Sequence, residues 1–419
     1  RTLDNARAHC MNEIKHLLVT RVFRLIDPVE LECLWGAATA LIECRNKTLA
    51  AFHFGHHVVI HSHAPFRLTN IVIAPLNNAE ITLRSVSSTC KTLGMTALRT
   101  AWHPVTFSQE LTTEPVAATL LDIPLVIWRD SNGTPHASSD ICVHRGTALS
   151  GGCVKGDNIM CPYHGWQYDA TGTCVHIPQL EDPSRVPPKA MVPAYQCVER
   201  NGMVWVALET PRFDIPQIDE ITDPNWKWVN CGPYDWNAGS SRQLENFTDF
   251  GHFPWVHPGL LGDPDRPVVP DCDVSTTDHV VHYNIVRPEA PNTDDFPIFA
   301  NSDTTTPMRT SRYEIHAPFT LLLRLGWGSA EGMIYFFVSQ PIDNDHSRGF
   351  LTIGRNYNFD QPDSVIRDFE DVIFNQDKII VESQRPKSVP FDITSELHMK
   401  FDGVALAYRK MMTANGFAE

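Results

Sequence analysis

From residue 95 to residue 210 the chain alternates short apolar runs with turn residues. Runs at 116–121, 125–128 and 203–208 are separated by segments that contain Gly, Pro and Asn. Short apolar runs bounded by such residues are typical of strands in antiparallel sheets. The pattern therefore predicts a small antiparallel β domain over residues 95–210.

A segment rich in proline and aspartate, 211–224, predicts a linker to a second domain at residues 224–419. In this second part, apolar runs at 312–316 and 332–339 predict strands, and helical patterns lie before and after them. An antiparallel sheet with helices packed on it, an α+β fold, follows from this order of elements.

One predicted C-terminal helix spans residues 362–381 and has an apolar stripe at helical spacing, formed by Val365, Phe369, Ile373 and Ile380. Asp377 lies on this stripe, where an ionised carboxylate is costly unless it is paired or bound to a metal. Three other acidic residues are assigned to the solvated side of the helix: Asp368, Glu370 and Asp371. Asp377 is therefore the preferred candidate for a metal ligand, and Asp371 is the alternative.

Composition and charge narrow the class of protein. Of the 419 residues, 42% are hydrophobic and 20% are charged, as in ordinary globular proteins. No apolar run reaches the roughly 20 residues of a membrane helix, and no secretory signal pattern opens the chain. The net charge of −15 argues against a nucleic-acid partner, and the odd count of 11 cysteines favours free thiols in a reducing compartment. We therefore expect a cytoplasmic protein without a membrane partner.

Two cysteine–histidine pairs carry the strongest chemical signal. Cys142 and His144 form a Cys-x-His pair, and Cys161 and His164 form a Cys-x-x-His pair. Two thiolates and two imidazoles in this order are typical of a Rieske [2Fe–2S] cluster, with the cysteines on one iron and the histidines on the other. A Cys2His2 zinc site is the alternative, but structural zinc sites group their cysteines together and their histidines together.

Segment 244–257 holds a second set of candidates, spaced by three, three and five residues: Asn246, Asp249, His252 and His257. The first three are predicted to share one face of a helix. Pro254 is expected to end or kink that helix, so that both imidazoles can converge on one metal. Two histidines and a carboxylate, for which Asp377 is the candidate, form the triad that holds non-heme Fe(II) and leaves positions open for O2.

From about Leu98 to its C-terminus the chain resembles the catalytic α subunits of Rieske non-heme iron oxygenases. The resemblance includes both metal motifs and segments 102–104, 161–168 and 245–250, which look like the branch of bacterial methylxanthine (caffeine-type) N-demethylases and aromatic O-demethylases. Respiratory Rieske proteins tie their two cluster loops with a disulfide at positions that here hold Thr147 and Tyr163. This difference favours the oxygenase branch.

The resemblance implies the terminal oxygenase of a multicomponent monooxygenase. Such a subunit uses O2 and electrons from NADH or NADPH, delivered by a separate ferredoxin or flavin reductase, to hydroxylate and so demethylate a small aromatic or heterocyclic compound. It also implies a catalytic domain of helix-grip, START-like type over residues 224–419. In this family, His252, His257 and Asp377 would hold the iron, and Asn246 would orient groups beside it.

Asp249 has a separate role under the resemblance. It would connect His252 to a cluster histidine, His164, of a neighbouring subunit. A head-to-tail ring, either a homotrimer or a hetero-oligomer, is implied.

Other functions stay open. A ring-hydroxylating dioxygenase is the alternative within the family, and formaldehyde release rather than a cis-diol separates the two. A Rieske electron-transfer protein and a zinc hydrolase are alternatives from other classes, although the sequence lacks His-Glu-x-x-His. Six residues from predicted strands are candidate walls for a flat, poorly charged aromatic substrate: Phe319, Leu321, Leu323, Trp327, Phe336 and Phe337.

Residues 1–94 show neither a ligand pattern nor a resemblance to the family. Met95 directly precedes the segment at which such oxygenases begin. One hypothesis is that residues 1–94 are a mis-assigned upstream translation, and the other is a real accessory extension.

Overall fold

The computed structural model of the chain describes residues 97–288, Ile298 and residues 308–418. It also describes the backbone of two antiparallel strands nearer the N-terminus, β1 (Leu49–Phe54) and β2 (His57–Ser62). The chain divides into two compact units, Arg1–Thr82 and Leu83–Glu419. The other residues of segment 1–94 lie outside the described residues, and so do the two hypotheses about this segment.

The first part of the larger unit is built on a six-stranded antiparallel sheet with the order β3-β12-β11-β6-β5-β4. Its strands are β3 (His103–Phe107), β4 (Val116–Leu120), β5 (Ile123–Arg129), β6 (Pro135–Ser139), β11 (Ala194–Arg200) and β12 (Met203–Ala207). The three apolar runs that predicted strands in this region lie in β4, β5 and β12.

A smaller four-stranded sheet, ordered β10-β9-β8-β7, adjoins it. Its strands are β7 (Cys153–Lys155), β8 (Asn158–Met160), β9 (Gln167–Tyr168) and β10 (Cys174–His176). Trp128, Leu149 and Tyr168 are buried in the core of this region. The packed strands hold two loops, 140–152 and 161–166, which contain the four cysteine and histidine candidates.

The second part is a seven-stranded antiparallel sheet with the order β13-β19-β18-β17-β16-β15-β14. Its strands are β13 (Lys227–Trp236), β14 (Asp273–Thr276), β15 (Val280–Pro288), β16 (Met308–His316), β17 (Thr320–Gly326), β18 (Gly332–Pro341) and β19 (Ser347–Arg355). Among its described residues, four helices accompany the sheet: α1 (Ser240–Asn246), α2 (Phe253–Val256), α3 (Asp363–Val381) and α4 (Gly403–Ala414).

Strand β18 shows how the large sheet is buried on both faces. Met333 and Phe337 pack in the core that includes the helices, whereas Ile334 and Phe336 pack against residues of the six-stranded sheet. Alternate side chains of a strand point to opposite faces, so an apolar strand of this length serves two cores at once. The Trp205 and Phe336 rings, 6.1 Å apart, lie in the core between the two sheets.

Buried charges fix α4 against α1. The Arg409 guanidinium, 2% exposed, donates to both carboxylate oxygens of Glu245 at 2.7 and 2.6 Å and to Glu396 at 2.6 Å. Arg242 pairs with the same Glu396 at 2.7 Å. Because Glu245 directly precedes Asn246, this network sets the position of the C-terminal end of α1.

The predicted α+β class is confirmed, with an antiparallel β part followed by an antiparallel sheet with helices. Within the described residues, no helix is both long enough and apolar enough to cross a membrane.

Two local predictions are wrong. The helix expected through Asn246, Asp249 and His252 ends at Asn246, and Pro254 lies in the first turn of a new short helix, where its missing N–H costs nothing. Glu370 was assigned to the solvated side of α3 but is 3% exposed, whereas Ile380, assigned to the apolar stripe, is 47% exposed. The buried face of α3 is wider than the stripe and runs through Ile366, Phe369, Glu370, Ile373, Phe374, Asp377 and Val381.

Candidate metal centres and the adjoining cavity

The two cysteine–histidine loops have the same backbone design. In one, the Cys142 N–H donates to the Thr147 carbonyl at 3.0 Å and the Gly146 N–H donates back to the Cys142 carbonyl at 2.8 Å. In the other, Cys161 N–H donates to a carbonyl five residues on at 2.8 Å, and Gly165 N–H donates back to Cys161 at 3.0 Å. Both glycines have positive φ, 73° and 71°, which explains why a glycine follows each cysteine by four residues.

The side chains of these loops form a layered arrangement. Cys142 and Cys161 are buried, at 2% and 1% exposure, whereas the imidazoles of His144 and His164 are half-buried, with ring centroids 4.5 Å apart. The indole of Trp166 stacks on His144 at 4.5 Å, with an angle of 3° between the planes. The two thiols therefore lie inside the loops, and the two imidazoles lie together nearer the surface.

The donor set fits a [2Fe–2S] cluster. His144 Nδ1 is buried without a hydrogen-bond partner among the described residues, as a metal-binding nitrogen would be. Desolvation, with the charges of His164 and Arg145, lowers the pKa of His144, and this favours the neutral imidazole that binds metal. The Tyr168 hydroxyl lies 3.1 Å from Cys142 Sγ, where it can donate to a thiolate.

A second group of donors converges between α2 and α3. His257 Nε2 lies 2.9 Å and His252 Nε2 lies 3.4 Å from the same carboxylate oxygen, Asp377 Oδ1. One ligand atom from each residue lies within 4.8 Å of the other two. His257 and Asp377 are buried and His252 is partly buried, and these atoms make no hydrogen bond in the described part of the chain. Buried polar atoms that converge in this way fit a metal ion.

The backbone explains how two histidines five residues apart meet. After α1 ends, Asp249 Oδ1 accepts the Gly251 N–H at 2.7 Å and turns the chain. His252 then precedes the single turn of α2, and His257 follows it. Both imidazoles therefore face α3, which supplies Asp377.

Neighbouring side chains hold the two imidazoles. The Gln376 amide oxygen accepts from His257 Nδ1 at 2.7 Å, which leaves Nε2 of the same ring free to bind a metal. Asp249 Oδ2 lies 3.4 Å from His252 Nδ1, and its side chain is 49% exposed. Burial raises the pKa of Asp249, but the hydrogen bond and charge of His252 outweigh this effect and hold it below its usual value.

The structure separates the two carboxylates that the sequence left open. Asp377 lies at the histidines, whereas Asp371 is exposed and accepts a hydrogen bond from the Tyr234 hydroxyl at 3.0 Å. Gln376 was not predicted, although it directly precedes Asp377. Glu370 was misplaced, although its position two helical turns before Asp377 puts both residues on one face of α3.

A cavity adjoins this centre and contains Asn246 beside the three converging side chains. Apolar walls come from helices, a loop and the sheet, including Phe247, Leu261, Leu323, Leu325, Ile373 and Phe374. Of the six predicted wall residues only Leu323 lines this cavity. Phe336, for example, faces the core between the two sheets.

Two family models match the two parts of the chain. A model of the Rieske [2Fe-2S] domain matches residues 101–196, and a model of the vanillate O-demethylase oxygenase C-terminal domain matches residues 236–415. Methylxanthine N1-demethylase NdmA of Pseudomonas putida is 34% identical over 328 residues, covering 75% of this chain and 88% of that protein. Methylxanthine N3-demethylase NdmB of the same species is 31% identical, with the same coverage.

A solved structure with the same fold supports these matches. The structure of Pseudomonas putida NdmA with caffeine superposes with a TM-score of 0.67 at 33% identity, covering 76% of this chain and 90% of that one. The sheets and the matched domains define an oxygenase component that carries a Rieske iron–sulfur cluster and iron. The chain belongs to the Rieske non-heme iron oxygenase family, as the terminal oxygenase of a multicomponent monooxygenase.

Proposed function

We propose that this chain demethylates a small, flat, N- or O-methylated aromatic or heterocyclic compound by hydroxylating its methyl group. The observation that carries the proposal is the convergence of His252, His257 and Asp377 on one wall of a largely apolar cavity. The relatives named methylxanthine demethylases support the choice of reaction.

The proposal gives each metal site its residues. Cys142, His144, Cys161 and His164 hold the [2Fe–2S] cluster, and His252, His257 and Asp377 hold Fe(II). When bound, the cluster supplies electrons one at a time and the iron activates O2. The overall reaction consumes O2, two electrons and two protons. One oxygen atom of O2 enters the methyl group, and the other forms water. A hydroxymethyl group on nitrogen or oxygen then leaves as formaldehyde.

The chain's other residues position the reactants. Phe247, Leu323 and Phe374 form walls that exclude water and hold a flat ring beside the metal-binding atoms. The Gln376 amide holds the His257 ring in the tautomer that binds metal. Asn246 contributes a polar group beside the same atoms.

Electron delivery assigns roles to the two parts of the chain. Residues 95–210 are the electron-accepting domain and residues 224–419 the catalytic domain, and a separate ferredoxin or flavin reductase supplies electrons from NADH or NADPH. The half-buried histidines of the cluster and the exposed carboxylate of Asp249 suit a head-to-tail ring, in which the cluster of one subunit meets Asp249 of the next. The exposed side chains of Ile141, Val143 and Tyr163 surround the cluster and suit such a contact.

Steady-state turnover tests the reaction. The purified holoprotein, a surrogate reductase, NADH and a panel of methylated purines and methoxybenzoates are incubated under air, and the products are analysed. Formaldehyde and the demethylated ring are expected in equal amounts. A cis-diol without formaldehyde would instead assign the chain to ring dihydroxylation.

A further inference from the structure

A second cavity lies beside the one that holds the candidate iron ligands, and the proposed function does not use it. This outer cavity has a volume of about 470 Å³, whereas the inner cavity, which contains the candidate iron ligands, has about 70 Å³. Its walls come mostly from the segment between α2 and β14 and include Phe250, Leu261, Pro264, Pro267, Val268 and Val269. Cavities that bind small molecules measure about 300–1,000 Å³. The outer cavity is therefore large enough for a whole small aromatic compound.

The outer cavity runs inward from the protein surface. Val268 and Pro264 are exposed, Val268 by 85%, whereas Phe250, which lines the same cavity, is 7% exposed. The charges of Asp263 and Arg266 compensate each other, because their side chains pair at 2.8 Å. Most of the remaining walls are apolar, which suits a flat, neutral and largely apolar compound.

Three residues line both cavities and so form the boundary between them: Phe253, Leu261 and Arg287. The Arg287 guanidinium lies 4.7 Å from the centre of the Phe253 ring and donates to the Leu261 carbonyl at 3.1 Å. These contacts join α2, the loop after it and β15. A compound that moves from the outer cavity to the inner cavity must therefore pass the Arg287 side chain.

The backbone on one side of this boundary is tightly packed. A side chain on Gly262 would place its Cβ only 2.5 Å from the backbone nitrogen of Pro254, so the loop lies directly against α2. Phe253 directly follows His252, a candidate iron ligand. The long Arg287 side chain, in contrast, is held by a hydrogen bond and a cation–π contact, each worth on the order of tenfold in an equilibrium constant. Arg287 is therefore the part of the boundary that can open.

We propose that the outer cavity is the entry site for the substrate, and that Arg287 is the gate through which a flat, neutral aromatic compound reaches the inner cavity. While Arg287 contacts Phe253 and Leu261, the boundary is closed. Passage requires the Arg287 side chain to leave both contacts, so the rate of entry depends on this residue. The inference rests on the proposed demethylase function only for the identity of the compound that enters.

The test measures how fast a neutral reagent reaches the inner cavity, and it needs no turnover. Leu323 lines the inner cavity and is 7% exposed, and Leu323→Cys places a reporter thiol there. The holoprotein of this parent variant is treated anaerobically with N-ethylmaleimide, a flat and neutral thiol reagent, and labelling of the reporter is followed by peptide mass spectrometry. The native Cys153, on β7, lines neither cavity and is the internal reference. Iron content and the cluster absorption spectrum confirm that each variant retains both centres.

Three substitutions are added to the parent variant. Arg287→Ala removes the gate and should speed up labelling of the reporter by about tenfold or more, the usual effect of losing a hydrogen bond and a cation–π contact. Val269→Trp narrows the outer cavity and should slow the labelling by a similar factor. Val286→Trp is the matched control, because Val286 is 52% exposed and points to the face of β15 opposite Arg287. It should label at the parent rate, and labelling of Cys153 should be the same throughout.

Equal labelling of the reporter in the parent, Arg287→Ala and Val269→Trp would overturn the inference, whether the common rate is high or zero. If Arg287→Ala does not fold or loses iron, the comparison of Val269→Trp with Val286→Trp decides the matter. Formaldehyde from theobromine or another methylated compound of the panel tests the proposed function separately. Formaldehyde with labelling that is unaffected by both substitutions rejects only the entry route. Labelling that depends on them, without formaldehyde from any compound, rejects only the demethylase function.

Discussion

Gln376 is expected to set the iron affinity of the catalytic centre without touching the metal. Its amide oxygen accepts from His257 Nδ1 at 2.7 Å, and the His257 side chain is fully buried. Gln376→Leu removes this acceptor and leaves a buried N–H unpaired, at a cost of about 1–3 kcal/mol. Loss of such an orienting partner typically weakens metal binding by about 10–100-fold, which corresponds to about 1.4–2.7 kcal/mol.

The assay is an anaerobic Fe(II) titration against a competing chelator, after the mononuclear site has been stripped of metal. The cluster absorption spectrum is the internal control, because Gln376 is remote in sequence from both cluster loops. Gln376→Glu keeps an acceptor and should bind iron at least as tightly as wild type. Asn375→Leu changes the neighbouring, exposed amide and should have no effect. Iron affinity within about twofold of wild type in Gln376→Leu would refute the reasoning, since the expected loss is at least about tenfold.

Three further predictions concern the centres and the fold. Asp377→Ala should lose mononuclear iron but keep the cluster spectrum, because two neutral imidazoles lack the charge that holds Fe(II). If this variant retains iron and Asp371→Ala does not, then Asp371 and not Asp377 is the iron ligand. Asp249→Ala should keep both centres and the oligomer, yet a pre-reduced cluster should persist after substrate and O2 are added; reoxidation at the wild-type rate would remove Asp249 from the electron path. Burial, opposed by the hydrogen bond to the Leu98 carbonyl, lowers the pKa of His103 to about 4. Below about pH 6.5 the unfolded chain binds a proton on His103 that the native protein does not bind. The free energy of unfolding should therefore fall by about 2 kcal/mol from pH 7 to pH 5. In His103→Gln, urea unfolding should show a loss of stability over this pH range that is smaller by the same amount.

Local chemistry made the cluster loops predictable. The hydrogen bonds that shape them span four or five residues, and each loop needs a glycine with positive φ at one position. Gly146 and Gly165 therefore appear in the sequence at the same distance from their cysteines. Asp377 was predictable for a related reason, because helical periodicity is local and places this carboxylate on the buried side of α3.

The errors come from interactions that the local pattern does not contain. Asp249 hydrogen-bonds the Gly251 backbone, and this turn breaks the helix that a three-residue spacing predicted. The buried width of α3 depends on the sheet and cavity that face it, so Glu370 is buried although its charge favoured the solvated side. Phe336 was only a candidate for a pocket wall, because the sequence does not tell which face of β18 meets the other sheet.

The proposed reaction is tested most directly by a single turnover without any reductase. The holoprotein is reduced photochemically under anaerobic conditions, freed of reductant, and mixed with theobromine and O2, and formaldehyde is measured per chain. One electron from the cluster and one from the iron suffice for one hydroxylation. We therefore expect up to one formaldehyde per chain, together with reoxidation of the cluster and loss of the reduced-cluster signal. Reoxidation of the cluster with every methylated probe of the panel, without formaldehyde from any of them, would contradict it.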